Sequence, residues 1–244
     1  MCVVSLLPLP NGFVLTTNRD EHISRPRAVP AQPYIVGERT VTYPKDPLGG
    51  GTWVAASADV TVCLLNGAFE KHVHQPPYRQ SRGLVVLDFF DFGNPLQFAN
   101  GYNFDQIEPF TLVVVQRRPD NLLVHELRWN GQQIYLRDMP GDLPHIWSSV
   151  TLYDANTAAR RKTWFADFLR QQPHVTPEDV FYFHQTAGIG DPEQDYVVRL
   201  PNGVQTVSIT QVVQTGSMPT MRYLPLVADE IPLRTRSNTN QATG

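Results

Sequence analysis

The 244-residue sequence predicts an α+β fold with a sheet core, and three observations carry that prediction. Predicted elements run as strands, short helices, strands, helices and strands again, an order that suits packed α+β layers. Apolar runs flank Asn-Gly pairs at 11–12, 66–67 and 130–131, the dipeptide that tight hairpins prefer. The 21 prolines argue for many loops rather than long helices. With 41% hydrophobic residues the chain can bury one large core. A single domain is expected over residues 1–230, followed by a polar tail over 231–244, and no internal repeat is visible.

In chain order, "VVSLLPLPNGFVLTTN" reads as a hairpin turning at Asn11-Gly12. "SRPRAVPAQPY" is expected to be an irregular, partly extended loop because of its prolines. "GTWVAASADVTVCLLNG" reads as a second hairpin that ends at Asn66-Gly67, and 67–80 as a polar loop. "SRGLVVLDFFDF" suggests a short helix capped by Ser81. "FTLVVVQ", "NLLVHELRW" and "QQIYLRD" read as consecutive strands. From about Asn156 the period becomes helical, with Trp164, Phe165, Phe168 and Leu169 on one face. Thr176-Pro177-Glu178-Asp179 is a helix start: a capping threonine, a proline in the first turn, then acids. "GVQTVSITQVV" and "MRYLPL" return to strands.

A formal charge of −3 leaves no electrostatic footprint for nucleic acid or an anionic membrane. No apolar stretch is long enough to span a bilayer, and the first residues lack the basic region of a secretory signal. Two cysteines do not make a disulfide framework, so a reducing, cytoplasmic setting is expected. The partner expected is a small-molecule substrate or ligand, with a homo-oligomer also open, and no cofactor. His72 and His74, in an H-x-H loop with few acids nearby, are a weak metal candidate even with His22 added. Gly49-Gly50-Gly51 lacks the Lys-Ser/Thr of a phosphate cradle and reads instead as a tight backbone path. Cys63 and the aromatic stripe read as core, and His184 as packed or surface.

Cys2 is the residue with chemistry. Removal of Met1 would leave it with a thiol and a free α-amine on one residue. The amine has a reference pKa of about 7.7–8.0, so at neutral pH it can serve as the base that activates the thiol. If Asn11-Gly12 is the two-residue loop, Pro10 pairs with Phe13, Val4 with Arg19 and Cys2 with Glu21, leaving Arg19 diagonal to Cys2. A one-residue slip would bring Asn18 and Asp20 to that face instead. A guanidinium beside the thiol favours the thiolate, and it can also grip a substrate carboxylate or carbonyl.

Met-Cys at the start, "NRDE" at 18–21, "RP" at 25–26, "GGTW" at 50–53, "LLNG" at 64–67 and "SRG" at 81–83 occur in one order. This pattern resembles the NRDE family, whose eukaryotic branch is the transport and Golgi organisation protein 2 family. That family is in turn similar to the cysteine branch of the N-terminal nucleophile hydrolases. The resemblance implies a four-layer αββα sandwich and hydrolysis of a non-peptide amide bond. By position it implies Cys2 as nucleophile, Arg19 as the active-site arginine, Asp20 as the holder of the α-amine and Asn66 as the oxyanion donor. Ser149, in "WSSVTLY", stands where a second asparagine is expected, and "TVSITQV" lacks the superfamily's late arginine. The same fold without catalysis, binding or trafficking a lipid-like or haem-like ligand, is the alternative.

Overall fold

The computed structural model describes residues 3–226; Cys2 and the 231–244 tail lie outside the described residues. The first hairpin is β1 (Val3–Leu9) and β2 (Gly12–His22). It forms as expected, but the turn comes one residue early, which shifts the pairing by two residues. Leu9 pairs with Gly12 and Val3 with Asn18, so the loop is Pro10-Asn11 and Val4 faces Thr17 rather than Arg19. The two-residue offset keeps every side chain on its expected face. Gly12 serves a neighbour rather than the turn. A Cβ there would sit 1.7 Å from the carbonyl oxygen of Gln214 on β11 (Val204–Gln214).

From Val29 on, the proline-rich segment is a strand rather than an irregular loop, while 24–28 lies outside regular structure. β3 (Val29–Val36) pairs with β4 (Arg39–Lys45), which the sequence reading missed. Its prolines are tolerated because β3 is the edge of its sheet among the described strands and its register shifts between Val29 and Gln32. The second hairpin is β5 (Val54–Ala56) and β6 (Val60–Asn66). A short α1 (Arg82–Asp88), one 3-10 turn and an unforeseen α2 (Pro95–Gly101) follow. Next come β7 (Phe110–Arg117), β8 (Leu122–Trp129), β9 (Ile134–Met139) and β10 (His145–Ser148). α3 (Ala155–Gln171) and α4 (Pro177–Thr186) precede β11 and β12 (Thr220–Pro225). Thr176 and Asp179 close a reciprocal capping box on α4, as the sequence predicts.

The described strands form two antiparallel sheets, ordered β10-β1-β2-β11-β12 and β3-β4-β5-β6-β7-β8-β9. Val4, Leu6, Phe13 and Leu15 of the smaller sheet pack with Val54, Cys63, Leu65 and Val113 of the larger. On the larger sheet's other face, Val62, Leu64, Leu112 and Val114 meet Val85, Val86, Phe89 and Phe98 of the α1–α2 segment. On the smaller sheet's other face, Val3 packs with Phe165 of α3, Phe183 of α4 and Tyr196, and the aromatic stripe adds to this cluster. β6 is therefore buried on both faces, which is why "VTVCLL" is apolar at every position but Thr61. Among the described residues no helix is long and apolar enough to cross a membrane.

Candidate functional site

Strand alternation sends the four residues of the NRDE run to opposite sides of the smaller sheet. Asn18 and Asp20 face the helices. The Asn18 amide donates to the carbonyl oxygens of His184 (3.1 Å) and Tyr196 (2.8 Å). Asp20 is buried and accepts from the Tyr153 hydroxyl (2.8 Å) and the Thr206 hydroxyl (2.6 Å). Arg19 and Glu21 face the other way, toward the larger sheet. The Arg19 guanidinium lies 4.6 Å from the centre of the Trp53 ring and gives Nη2 to Asp46 (2.8 Å) and Glu21 (3.4 Å).

Asp46 organises this cluster. Its Oδ2 also receives Arg25 Nε (3.0 Å) and Nη2 (2.9 Å), while its Oδ1 accepts from the backbone N–H groups of Leu48 and Gly49. Burial alone would raise its pKa. The Gly49 N–H, Arg25 and Arg19 outweigh burial and hold the carboxyl below the usual range. The following glycines do allow a tight path. A Cβ on Gly51 would come 2.1 Å from the Gly83 carbonyl carbon, and Thr52 N–H donates to the Gly83 oxygen. This backbone contact joins "GGTW" to "SRG". Ser81 holds the position before α1, but its hydroxyl donates to the Gly49 oxygen (3.1 Å) instead of capping the helix.

These elements enclose a cavity of about 290 Å³ lined by Arg19, Glu21, Arg25, Asp46, Trp53, Asn66, Arg82 and Glu108, among others. The segments after Met-Cys, from "NRDE" to "SRG", are spread over residues 18–83, and each places residues on this one cavity. Asn66 ends β6 in a turn whose backbone is tied down on all sides. Its own carbonyl accepts from Ser149, Gly67 N–H donates to Pro109, the Gly67 carbonyl accepts from Thr111, and the Ala68 carbonyl accepts from Arg128. The Asn66 side-chain amide has no hydrogen-bond partner among the described residues. Ser149 is buried, and its hydroxyl proton goes to the Asn66 carbonyl at 2.9 Å, with Thr151 Oγ1 3.0 Å away. Ser149→Ala is expected to cost about 1–2 kcal/mol by leaving that carbonyl unmatched. A denaturant titration reads the loss, and an unchanged midpoint would show that the bond contributes nothing.

One acid for the H-x-H pair, which the sequence reading found short of acids, comes from elsewhere in the chain. Glu108 Oε1 receives His72 (3.0 Å) and His74 (3.1 Å), and Oε2 pairs with Arg82 (2.9 Å). Burial would raise the Glu108 pKa, but Arg82 and the two histidines hold it below the usual range. His22 bonds Ser24 instead. Among the described residues no group of three or more His, Cys, Asp or Glu side chains is arranged to hold a metal ion. Cys63 is fully buried, and burial pushes its thiol up to about 12, so it stays a neutral core residue.

Behind the smaller sheet, Ser5, His184 and Asn18 form a hydrogen-bonded chain. Ser5 Oγ lies 2.7 Å from His184 Nε2, and His184 Nδ1 lies 2.7 Å from Asn18 Oδ1. The order is that of a hydrolytic triad, yet all three residues are fully buried. Burial, aided by Arg161, lowers the imidazole to about 3, so it is neutral. Its role is to anchor β2 just before Arg19, which agrees with its reading as a packed residue.

Sequence reasoning missed Asp46, Arg82 and Glu108. Asp46 had a local signal in "KDPLGG", an aspartate before proline and glycines that can bind backbone N–H groups two and three residues on. Glu108 had none, because its partners are 26 to 36 residues away. With this geometry in place, a family model described as Transport and Golgi organisation 2 matches residues 1–198. No curated protein matches the sequence closely enough to count as a relative.

Proposed function

We infer the function from one premise: the chain belongs to the transport and Golgi organisation 2 family. We propose that it is a cysteine-type N-terminal nucleophile hydrolase acting on a small amide. On this reading residues 1–230 are one domain, and the two facing sheets with helices outside them are the αββα sandwich of that superfamily. The observation that carries the proposal is the convergence on one cavity of Arg19 and the Asn66 amide, which has no partner among the described residues. Val3, the residue after Cys2 in the sequence, pairs with Asn18, the neighbour of Arg19.

After loss of Met1, the α-amine takes the thiol proton and Cys2 Sγ attacks the amide carbon. The oxyanion accepts from the Asn66 amide, a donor worth about 10²–10³ in kcat. As the C–N bond breaks, the departing amine takes the proton from the α-ammonium and a thioester remains. Water, deprotonated by the same amine, opens the thioester to a carboxylic acid and restores the thiol. Asp20 would hold the α-amine. Because the Ser149 hydroxyl is already committed to the Asn66 carbonyl, Asn66 is the side-chain oxyanion donor in this reading.

That commitment also favours a second reading, a non-catalytic binding protein on the same fold. The paired charges lining the cavity fit a small polar ligand better than a lipid tail or haem, since an apolar guest would strip water from ion pairs without replacing it. Intact mass, a thiol-reactive probe at pH 7 and a panel of N-acyl compounds separate the readings. Hydrolysis predicts loss of Met1, labelling of Cys2 far faster than that of a free cysteine in solution at the same pH, and turnover abolished by Cys2→Ala. A retained Met1, or Cys2 labelling no faster than the free thiol, would leave only binding.

A further inference from the structure

Arg161 is fully buried, and the mechanism above gives it no task. α3 turns it inward on the same face as Phe165, one turn further on. Its guanidinium gives Nε and Nη2 to the Gln194 carbonyl (3.3 and 3.2 Å) and Nη2 to the Asp195 carbonyl (2.6 Å). The guanidinium carbon lies 3.8 Å from the centre of the Tyr153 ring and 5.7 Å from that of Tyr196. A desolvated cation against a ring face is a strong form of this contact. Both groups that Arg161 steadies lead to Asp20. Tyr153 takes the cation on its ring and donates its hydroxyl to Asp20 Oδ2 (2.8 Å). A cation on the ring draws charge from the phenol oxygen, which makes its hydroxyl a better donor. The segment that follows Gln194 and Asp195 reaches the other oxygen. Its Val198 N–H donates to the Thr206 hydroxyl oxygen (2.9 Å), and that hydroxyl donates to Asp20 Oδ1 (2.6 Å).

We propose that Arg161 is a positioning residue, which acts through Tyr153 and the 194–198 segment to hold the Asp20 carboxylate in place. The inference rests on the hydrolase reading, in which Asp20 holds the α-amine that moves the proton. Arg161 makes and breaks no bond in the reaction. Its effect falls on the chemical step and not on substrate binding. Asp20 faces the helices, whereas the cavity that would take the substrate lies on the other side of the smaller sheet, with Arg19 and Asn66. A base displaced by about 1 Å can cost 10²-fold in rate. A role in packing alone would not need a charge, because an apolar side chain fills a buried site without the cost of desolvating a guanidinium.

The test measures hydrolysis of the fastest-cleaved compound of the N-acyl panel by the full chain and its variants. Arg161→Met should lower kcat about 10- to 100-fold and leave KM within about twofold of the parent. Arg161→Lys keeps the charge but not the flat plate that stacks on Tyr153, and should recover part of the loss. Tyr153→Phe removes one hydroxyl, keeps the ring, and should lower kcat about tenfold. In an Asp20→Asn background neither Arg161→Met nor Tyr153→Phe should lower kcat further, because the group they hold is already gone. Urea titrations of the same variants give a second cycle that needs no turnover. Arg161→Met with Asp20→Asn should be no less stable than the weaker single variant. If Arg161→Met does not fold, Tyr153→Phe decides by the same two comparisons. Losses that add in either cycle, or a kcat unchanged by both substitutions, would overturn the inference. The two ideas fail separately. Non-additive stability with no hydrolysis of the panel by the unsubstituted protein would sink the hydrolase reading alone. Hydrolysis in which Arg161→Met raises KM at constant kcat would sink the positioning role alone.

Discussion

Asp46→Ala should destabilise the protein by about 3 kcal/mol, the low end of what breaking a buried charge pair costs. For a chain of this size that is a fall in Tm of roughly 6–12 °C. The reason is the number of groups left behind. Asp46 accepts from Arg19, from Arg25 and from two backbone N–H groups, and Arg19 is 5% exposed, so its charge cannot recover full hydration. Asp46→Asn is the sharper variant. Its carbonyl oxygen can still accept from Leu48 and Gly49, but its NH₂ would face the Arg19 and Arg25 donors. It should therefore be nearly as damaging as alanine, although it keeps the shape. Pairing Asp46→Ala with Arg19→Met should restore part of the loss, because the uncompensated cation is then gone. Thermal melts of the three variants decide the matter. If Asp46→Asn melts with the parent, the charge is irrelevant and the carboxylate serves only the glycine turn.

The sequence shows the parts of this site but not how they meet. Strand alternation alone separates Asn18 and Asp20 from Arg19 and Glu21, and that separation holds even though the expected register is off by two residues. Register depended on the role of one glycine. Asn11-Gly12 looks like a hairpin turn, whereas Gly12 is there for the approach of Gln214, some two hundred residues later. Proline misled in the same way. Between Val29 and Tyr34 it signals an irregular loop unless one knows that β3 has no neighbour on one side among the described strands. The arginines of "NRDE", "RP" and "SRG" are visible as motifs, but the carboxylates that fix them, Asp46 and Glu108, lie outside those motifs. Long-range charge pairing leaves no periodic trace in a sequence, so that half of the cavity becomes legible only in three dimensions.

Lowering the pH from 7 to 5 should cost about 2 kcal/mol of folding stability through His184 alone, and His184→Gln should remove that slope. The Asn18 amide gives its hydrogens to two backbone carbonyls, so its Oδ1 must accept from His184 Nδ1–H. His184 Nε2 is then the bare nitrogen that accepts the Ser5 hydroxyl. A second proton has no place in this arrangement, and burial lowers the folded-state pKa to about 3. Unfolded, the imidazole titrates near 6.5, so below that pH the unfolded chain takes up a proton that the folded chain refuses. Stability is therefore flat above about pH 6.5 and falls below it, approaching 1.4 kcal/mol per pH unit until the folded form also protonates. The buried carboxylates do not confuse the upper part of this window. Asp46, Glu108 and Glu126 have folded pKa values held below their ordinary ones, so their contributions are lost only as the pH falls through and beneath the usual carboxylate range. Urea titrations of parent and His184→Gln at pH 7, 6 and 5 measure the two slopes. Equal slopes would place the proton uptake on another residue. A slope confined to the parent would show that the Ser5–His184–Asn18 chain holds β2, and with it Arg19, only while the imidazole is neutral.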